Sequence, residues 1–195
     1  MSMKRIKDSE ILPLITAPAN LRQSIFKVLE GTDRKDSKQG REILAHIDQV
    51  EAWLAAEISA GKFRLTCFGE EIIEERGKTR KIQFLYSYYE KMGIHAIMNV
   101  VEKLTFNRLI RTTGASLKRR GTHDLLQLIR RDMAEDPEGT RFTYSDDISK
   151  FYESIDQEVM MDCLRHYFKG PIILTMLERF VRLLKQGLSI GLRSS

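Results

Sequence analysis

The chain has 195 residues, enough for one good core or for a large and a small subdomain. Hydrophobic content of 42% and charged content of 30% are ordinary for a soluble globular protein, and no run of 18 apolar residues marks a membrane span. A net charge of +5 is a mild bias that many cytosolic proteins share, so it does not by itself select a class of partner.

The start, Met-Ser-Met-Lys-Arg-Ile-Lys-Asp-Ser-Glu, lacks the apolar core of a signal peptide. Residues 1–19 are polar, carry Pro13 and Pro18, and read as an arm with little structure of its own. A short helix is predicted from Asn20 to about Glu30, with Leu21, Ile25 and Leu29 on one face. The charged stretch Gly31–Gly40 reads as a loop. Arg41–Ala60 reads as an amphipathic helix whose Ile43, Leu44, Ile47, Val50, Trp53, Leu54 and Ile58 face a core, with Trp53 as packing rather than a ligand platform.

Gly61 ends that helix. Phe63–Ile73 and Lys81–Tyr86 are strand-like and flank Glu74-Glu-Arg-Gly-Lys-Thr-Arg80, which predicts a hairpin with a basic tip. Ser87 is placed to cap a long helix running to about Ile110. Thr112–Gly121 is a basic loop, and Thr122–Met133 another helix. Between Lys103 and Arg131 stand eight basic residues and one acidic residue, Asp124, a local excess larger than that of the whole chain. Such a stretch suits a polyanion, whereas a merely solvated helix face would mix both signs. Cys67 and Cys163 have no Cys or His neighbour at metal spacing and read as free buried thiols of a reducing cytoplasm.

Asp136-Pro-Glu-Gly139 is a turn, and Arg141–Asp147 then alternates as a short strand. Phe142, Tyr144 and Asp146 share one face; Thr143, Ser145 and Asp147 share the other. Asp147 at a strand end could hold a divalent cation, or could simply cap a following helix. Asp156 is a further N-cap for a helix through Phe168, and Pro171 opens the next helix after Gly170. Helices with two small β elements give an α+β fold class.

The run Asp147-Ile-Ser-Lys-Phe-Tyr-Glu-Ser-Ile-Asp156 resembles the first catalytic motif of reverse transcriptases. Arg119-Arg-Gly-Thr-His-Asp124 resembles the Arg/Gly-rich template and nucleotide segment of the bacterial enzymes. Gly187-Leu-Ser-Ile-Gly-Leu-Arg-Ser-Ser195 resembles their Gly-x-Pro-x-Gly-x-x-x-Ser motif. The three occur in the family's order over roughly residues 20–195, closest to enzymes of the retron, group II intron and diversity-generating retroelement kind.

The resemblance implies mainly helical fingers over residues 20–135, bearing the β-hairpin, and the first part of a polymerase palm over 136–195. It implies an RNA-directed DNA polymerase with Mg²⁺ as cofactor and RNA template, RNA–DNA duplex and deoxynucleotides as partners. Asp147 and the Ile148 carbonyl would ligate the metal, with Asp146 secondary. Tyr152 would sense the sugar 2′-OH, although a packed aromatic is an equal reading; Phe151 reads as core. Lys81 would reach the triphosphate, Arg120 and Gly191 would lie at the nucleotide, and Arg111, Lys118, Arg119 and Arg120 would contact nucleic acid. Exposed charge at a turn explains Lys81 equally well, and His123 reads as a helix-start residue.

Departures from the family pattern are Leu117, where Arg is usual, Arg119 for Gly, Ser189 for Pro and Ile190 for Gln. An apolar residue at 190 resembles the error-prone diversity-generating enzymes. The family's Tyr-x-Asp-Asp hairpin would follow the last motif, and Tyr144-Ser-Asp-Asp147 shares only its lettering. A truncated protein is therefore expected, one that binds without polymerising. Two other readings stay open: a non-catalytic RNA-binding module on the same fold, and a plain helical interaction protein.

Overall fold

The structure, a computed structural model, describes residues 4–30, 32–66, 68–75, 77–106, 108–114 and 120–192. Among these residues the fold is α+β: ten helices and one two-stranded antiparallel sheet. Two compact units are present. The first comprises residues 1–102 and 150–195, the second residues 103–149.

The first unit opens with α1 (Asp8–Ile15), which corrects the expectation of an unstructured arm. Ile11 and Ile15 are fully buried, so α1 is held by its apolar stripe rather than by helix propensity. Ile6 pairs with Phe168 in a parallel bridge, and the Asp8 carboxylate accepts from the N–H groups of Ile172 and Ile173 at 2.9 and 3.0 Å. Asp8 thereby caps a helix more than 160 positions away in sequence, a contact that no local pattern announces.

The helix α2 (Pro18–Leu29) buries Leu21, Ile25 and Leu29 as expected. The predicted loop at 31–40 instead contains α3 (Thr32–Asp36) and the start of α4 (Lys38–Ala45), whose N-cap Ser37 accepts from the Gly40 N–H. The single long helix expected from Arg41 is broken at His46 and continues as α5 (Ile47–Ser59). Ile43, Val50, Leu54 and Ile58 are buried, but Trp53 is 44% exposed, resting edge-to-face on Tyr89 at 5.5 Å. Its placement in the core is thus corrected: its apolar neighbours occupy the inner stripe and leave it at the margin.

After α5 come β1 (Phe68–Glu75) and β2 (Lys78–Leu85), paired from Phe68↔Leu85 to Glu75↔Lys78. The next helix, α6 (Tyr88–Phe106), buries Met92, Ile94, Ala96 and Ile97. In the C-terminal part, α8 (Phe151–Ser154) is a single turn. The Asp156 carboxylate caps α9 (Gln157–Tyr167) by accepting from Glu158 and Val159, and Pro171 opens α10 (Pro171–Val181), both as expected. Arg179 of α10 donates to the carbonyls of Gly61 and Phe63, tying the C-terminal helices to the turn after α5.

The second unit contains α7 (Thr122–Glu135), with His123 in its first turn as read from the sequence. None of its described residues is buried. The strand expected at Arg141–Asp147 does not form. Residues 142–148 have no regular structure, with Phe142 and Tyr144 almost fully exposed. A strand needs a partner's N–H and C=O groups, and the sheet among the described residues contains only β1 and β2.

Candidate nucleotide and nucleic-acid site

The candidate residues fall into the two units, and four of them meet in the first. The segment Gly187–Leu192 runs beside β2. The Gln83 N–H donates to the Ile190 carbonyl at 2.8 Å, and the Ile190 N–H donates to Gln83 Oε1 at 2.8 Å. At its other end, the Leu188 N–H donates to the Tyr152 carbonyl at 2.8 Å, and Gln157 Nε2 donates to the carbonyls of Leu184 and Gly187. Leu188 packs with Met161 and Val181.

This course demands both glycines. Gly187 has φ +67°, and a Cβ there would lie 2.5 Å from the Tyr152 carbonyl oxygen. Gly191 has φ +94°, and its Cβ would lie 3.1 Å from the Gln83 carbonyl oxygen. The close backbone approaches at these glycines are made within the chain itself, to α8 and to β2.

Lys81 lies within β2, opposite Ile72, rather than at the hairpin tip formed around Gly77. Its ammonium pairs with Glu70 Oε2 at 2.5 Å, and Glu70 Oε1 accepts from Gln83 Nε2 at 3.2 Å. The Lys81 hydrogen bond, with smaller help from Gln83, holds the Glu70 carboxyl below its ordinary range against the opposing effect of desolvation. Lys81, Gln83, Glu70, Lys185, Glu153 and Ile190 line a cleft of about 600 Å³. Next to it in sequence, Tyr152 is 37% exposed and meets Phe151 edge-to-face at 5.5 Å. Phe151 is itself about half exposed, which corrects its placement in the core.

Gln83 was not singled out in the sequence, yet it is the residue that joins these parts. It is 3% exposed and shares its strand face with buried Leu85. A polar side chain in an apolar parity slot is the signal that could have found it, because a buried amide must find partners.

The second unit holds Asp147, Ile148, Arg111 and Arg120; Lys118 and Arg119 lie outside the described residues, as do Leu117 and Cys67, while Cys163 on α9 is exposed, which corrects the expectation of a buried thiol. Asp147 caps no helix, since α8 begins four residues later behind Lys150, which itself has φ +53°. The Asp146 carboxylate accepts from the Asp147 N–H at 2.8 Å and from the Tyr144 hydroxyl at 3.3 Å. Asp147 is exposed, and its own carboxylate accepts no hydrogen bond among the described residues. A solvated carboxylate of this kind suits a hard cation such as Mg²⁺, and Asp147 with the exposed Ile148 could supply its anchor from this segment. Among the described residues no three His, Cys, Asp or Glu side chains gather as a metal site.

The arginines have structural partners. Arg111 forms a two-pronged pair with Asp124, both bonds at 2.6 Å. That pair chiefly holds the Asp124 carboxyl below its ordinary range, with a lesser contribution from the Arg120 charge. Arg120 donates to the Ile110 carbonyl at 2.9 Å and lies over the Phe106 ring at 4.5 Å. Their exposed edges can still face phosphate, but each guanidinium is already engaged within the second unit. No helix among the described residues is long and apolar enough to cross a membrane. Compared with protein-family models and with curated proteins, the chain matches none of them.

Proposed function

We propose that the chain is the fingers and first palm segment of an RNA-directed DNA polymerase, binding an RNA template, an RNA–DNA duplex and a deoxynucleotide. The observation that carries this reading is the two-glycine segment. It is bound at one end to the Tyr152 backbone and at the other to the hairpin strand that bears Lys81. Residues from three separate stretches, each assigned by motif resemblance, thereby line or border one cleft. When bound, a pair of Mg²⁺ ions would stabilise the attacking and leaving oxygens of nucleotidyl transfer. Asp147 would anchor the cation, Lys81 would contact the triphosphate, and the Tyr152 ring would lie where a sugar can be inspected. The basic stretch from Lys103 to Arg131 would hold the nucleic-acid backbone.

The test is duplex binding by the chain, followed by fluorescence anisotropy across a salt series. Affinity is expected to fall steeply with salt, because phosphate contacts release counterions. Lys118→Glu with Arg119→Glu should lower the salt slope by about two, at unchanged fold. Salt-independent binding, or no binding, would overturn the reading. Asp147→Asn should remove the Mg²⁺-dependent part of deoxynucleotide binding, because a neutral amide is a weak ligand for a hard cation, and an unchanged Mg²⁺ dependence would overturn the metal role.

A further inference from the structure

We infer that Glu70 guards a polyphosphate-binding cleft: its carboxylate occupies the Lys81 ammonium until a polyphosphate displaces it, and Gln83 links that exchange to the Gly187–Gly191 segment. The inference rests on the reading of Lys81 as a phosphate contact and adds to it a residue, Glu70, that regulates the contact.

The geometry has three linked parts. Glu70 uses both carboxylate oxygens, Oε2 on Lys81 at 2.5 Å and Oε1 on the Gln83 amide at 3.2 Å. Gln83 in turn uses its amide oxygen on the Ile190 N–H and its backbone N–H on the Ile190 carbonyl. The side chain of Gln83 is therefore fixed from one end, while its NH₂ group faces the carboxylate. If Glu70 swings away, the Lys81 ammonium and the Gln83 amide N–H both become free donors on the same wall of the cleft. Lys185 lines that cleft as a second cation, and about 600 Å³ is room for a triphosphate.

The charges decide which ligand can make the exchange. Lys81 and Lys185 are opposed by Glu70 and Glu153, so the resting cleft carries no excess of positive charge. A single phosphate has little advantage over the carboxylate already in place. A triphosphate offers several anionic oxygens to both lysines and to the amide at once. Because the Glu70–Lys81 pair is largely exposed, displacing it costs little, which is what a guard requires. Its expected effect is a filter for chain length of the phosphate rather than a block.

The experiment is calorimetric titration of the chain with inorganic tripolyphosphate and with orthophosphate. Tripolyphosphate is expected to bind and orthophosphate to bind much more weakly. Glu70→Gln keeps an acceptor for the Gln83 amide and removes the charge. It should tighten tripolyphosphate about three- to fivefold, the range expected for releasing an exposed ion pair, and narrow the preference over orthophosphate. Lys81→Gln should weaken tripolyphosphate, and in that background Glu70→Gln should gain nothing. An unchanged or weaker affinity in a folded Glu70→Gln variant would overturn the guard, as would an equal gain with and without Lys81, since that reports only net charge. Absence of tripolyphosphate binding by Glu70→Gln would overturn it too. Duplex binding does not involve Glu70, so a chain that binds duplex without the Glu70 effect loses this inference alone, whereas a chain that fails to bind duplex loses the polymerase reading.

Discussion

The two units place their candidate residues on opposite kinds of support. In the first unit, Gly187 and Gly191 are held by hydrogen bonds to Tyr152 and Gln83, and Leu188 is anchored beside Met161 and Val181. In the second, Asp147 lies in an exposed irregular segment, and α7 presents Leu126, Ile129 and Met133 to solvent. All of these positions carry clear sequence patterns. The contrast teaches that a pattern specifies the conformation a segment prefers, while the surrounding chain decides whether the position is fixed. Substitutions at the two held glycines should therefore be read out as stability, and substitution of the exposed Asp147 as binding.

The largest expected effect tests that division at two glycines. Gly187→Ala must force a side chain into a left-handed conformation and against the Tyr152 carbonyl. It should cost about 2–4 kcal/mol, combining left-handed strain with overpacking. Gly121→Ala, in the second unit, meets no atom of the described residues within 4 Å and has φ −157°, so it should cost no more than about 1 kcal/mol, the loss of a glycine N-cap of α7. Urea midpoints of the two variants give the comparison directly. A Gly187→Ala variant as stable as its parent would show that the two-glycine segment is not fixed against α8.

A pair of aspartates gives the next effect. Asp8 accepts from two N–H groups at the start of α10, and Asp8→Ala should cost about 1–2 kcal/mol as the loss of a cap. Asp147→Ala should leave the unfolding free energy from urea titration within about 0.5 kcal/mol of the parent, as expected for an exposed residue. Equal losses would mean that Asp147 supports the fold and that its exposure is misleading.

Much of the first unit was legible because its signals are local. Asp156 and Pro171 mark the starts of α9 and α10, and the alternation and Gly77 mark the hairpin. The break at His46 was not legible, since the apolar positions of α4 and α5 continue the same spacing across it. Nor was α1, because Pro13 argues against a helix there and the compensating contacts come from α10. Within the cleft, the glycines and Lys81 were visible as motif positions. Gln83 and Glu70 were not, because their roles arise only when β1, β2 and the Gly187–Leu192 segment meet. Asp147 was legible as a residue but not as a strand end, since strand pairing depends on partners that a single segment cannot name.

Tyr152 tests the border of the cleft. Its backbone carbonyl holds Leu188, and its ring is partly exposed, so Tyr152→Ala keeps the hydrogen bond and removes a side chain that is more than half buried. A stability loss of about 1–2 kcal/mol is expected from the area involved. If the ring inspects the sugar, the ratio of deoxyribonucleotide to ribonucleotide affinity should fall, because the 2′-OH is the difference in sugar between them. An unaltered ratio with a larger stability loss would make Tyr152 a packing residue and leave only its backbone in the site.

The smallest effect concerns acid and the second unit. Arg111 holds the Asp124 carboxyl below the ordinary aspartate value of 3.8. A depressed carboxyl stabilises the folded state fully above its unfolded value, and that contribution is lost as pH falls through the lower folded value. The pair should thus brace α7 at pH 5 and release it progressively below about pH 4, near the reference value for aspartate. Glu10, Glu30 and Glu70 of the first unit are depressed for the same kind of reason, so global acid unfolding cannot isolate the effect. Amide exchange resolved by NMR can. Protection in the first turns of α7 should fall between pH 5 and pH 3 in the parent. Asp124→Asn should show the weaker protection at both pH values, because it removes the charge that Arg111 requires. Since both partners are exposed, the change should be small. Equal pH dependence in parent and variant would show that the start of α7 is held chiefly by Arg120, through its bond to the Ile110 carbonyl and its contact with Phe106, rather than by the Arg111–Asp124 pair.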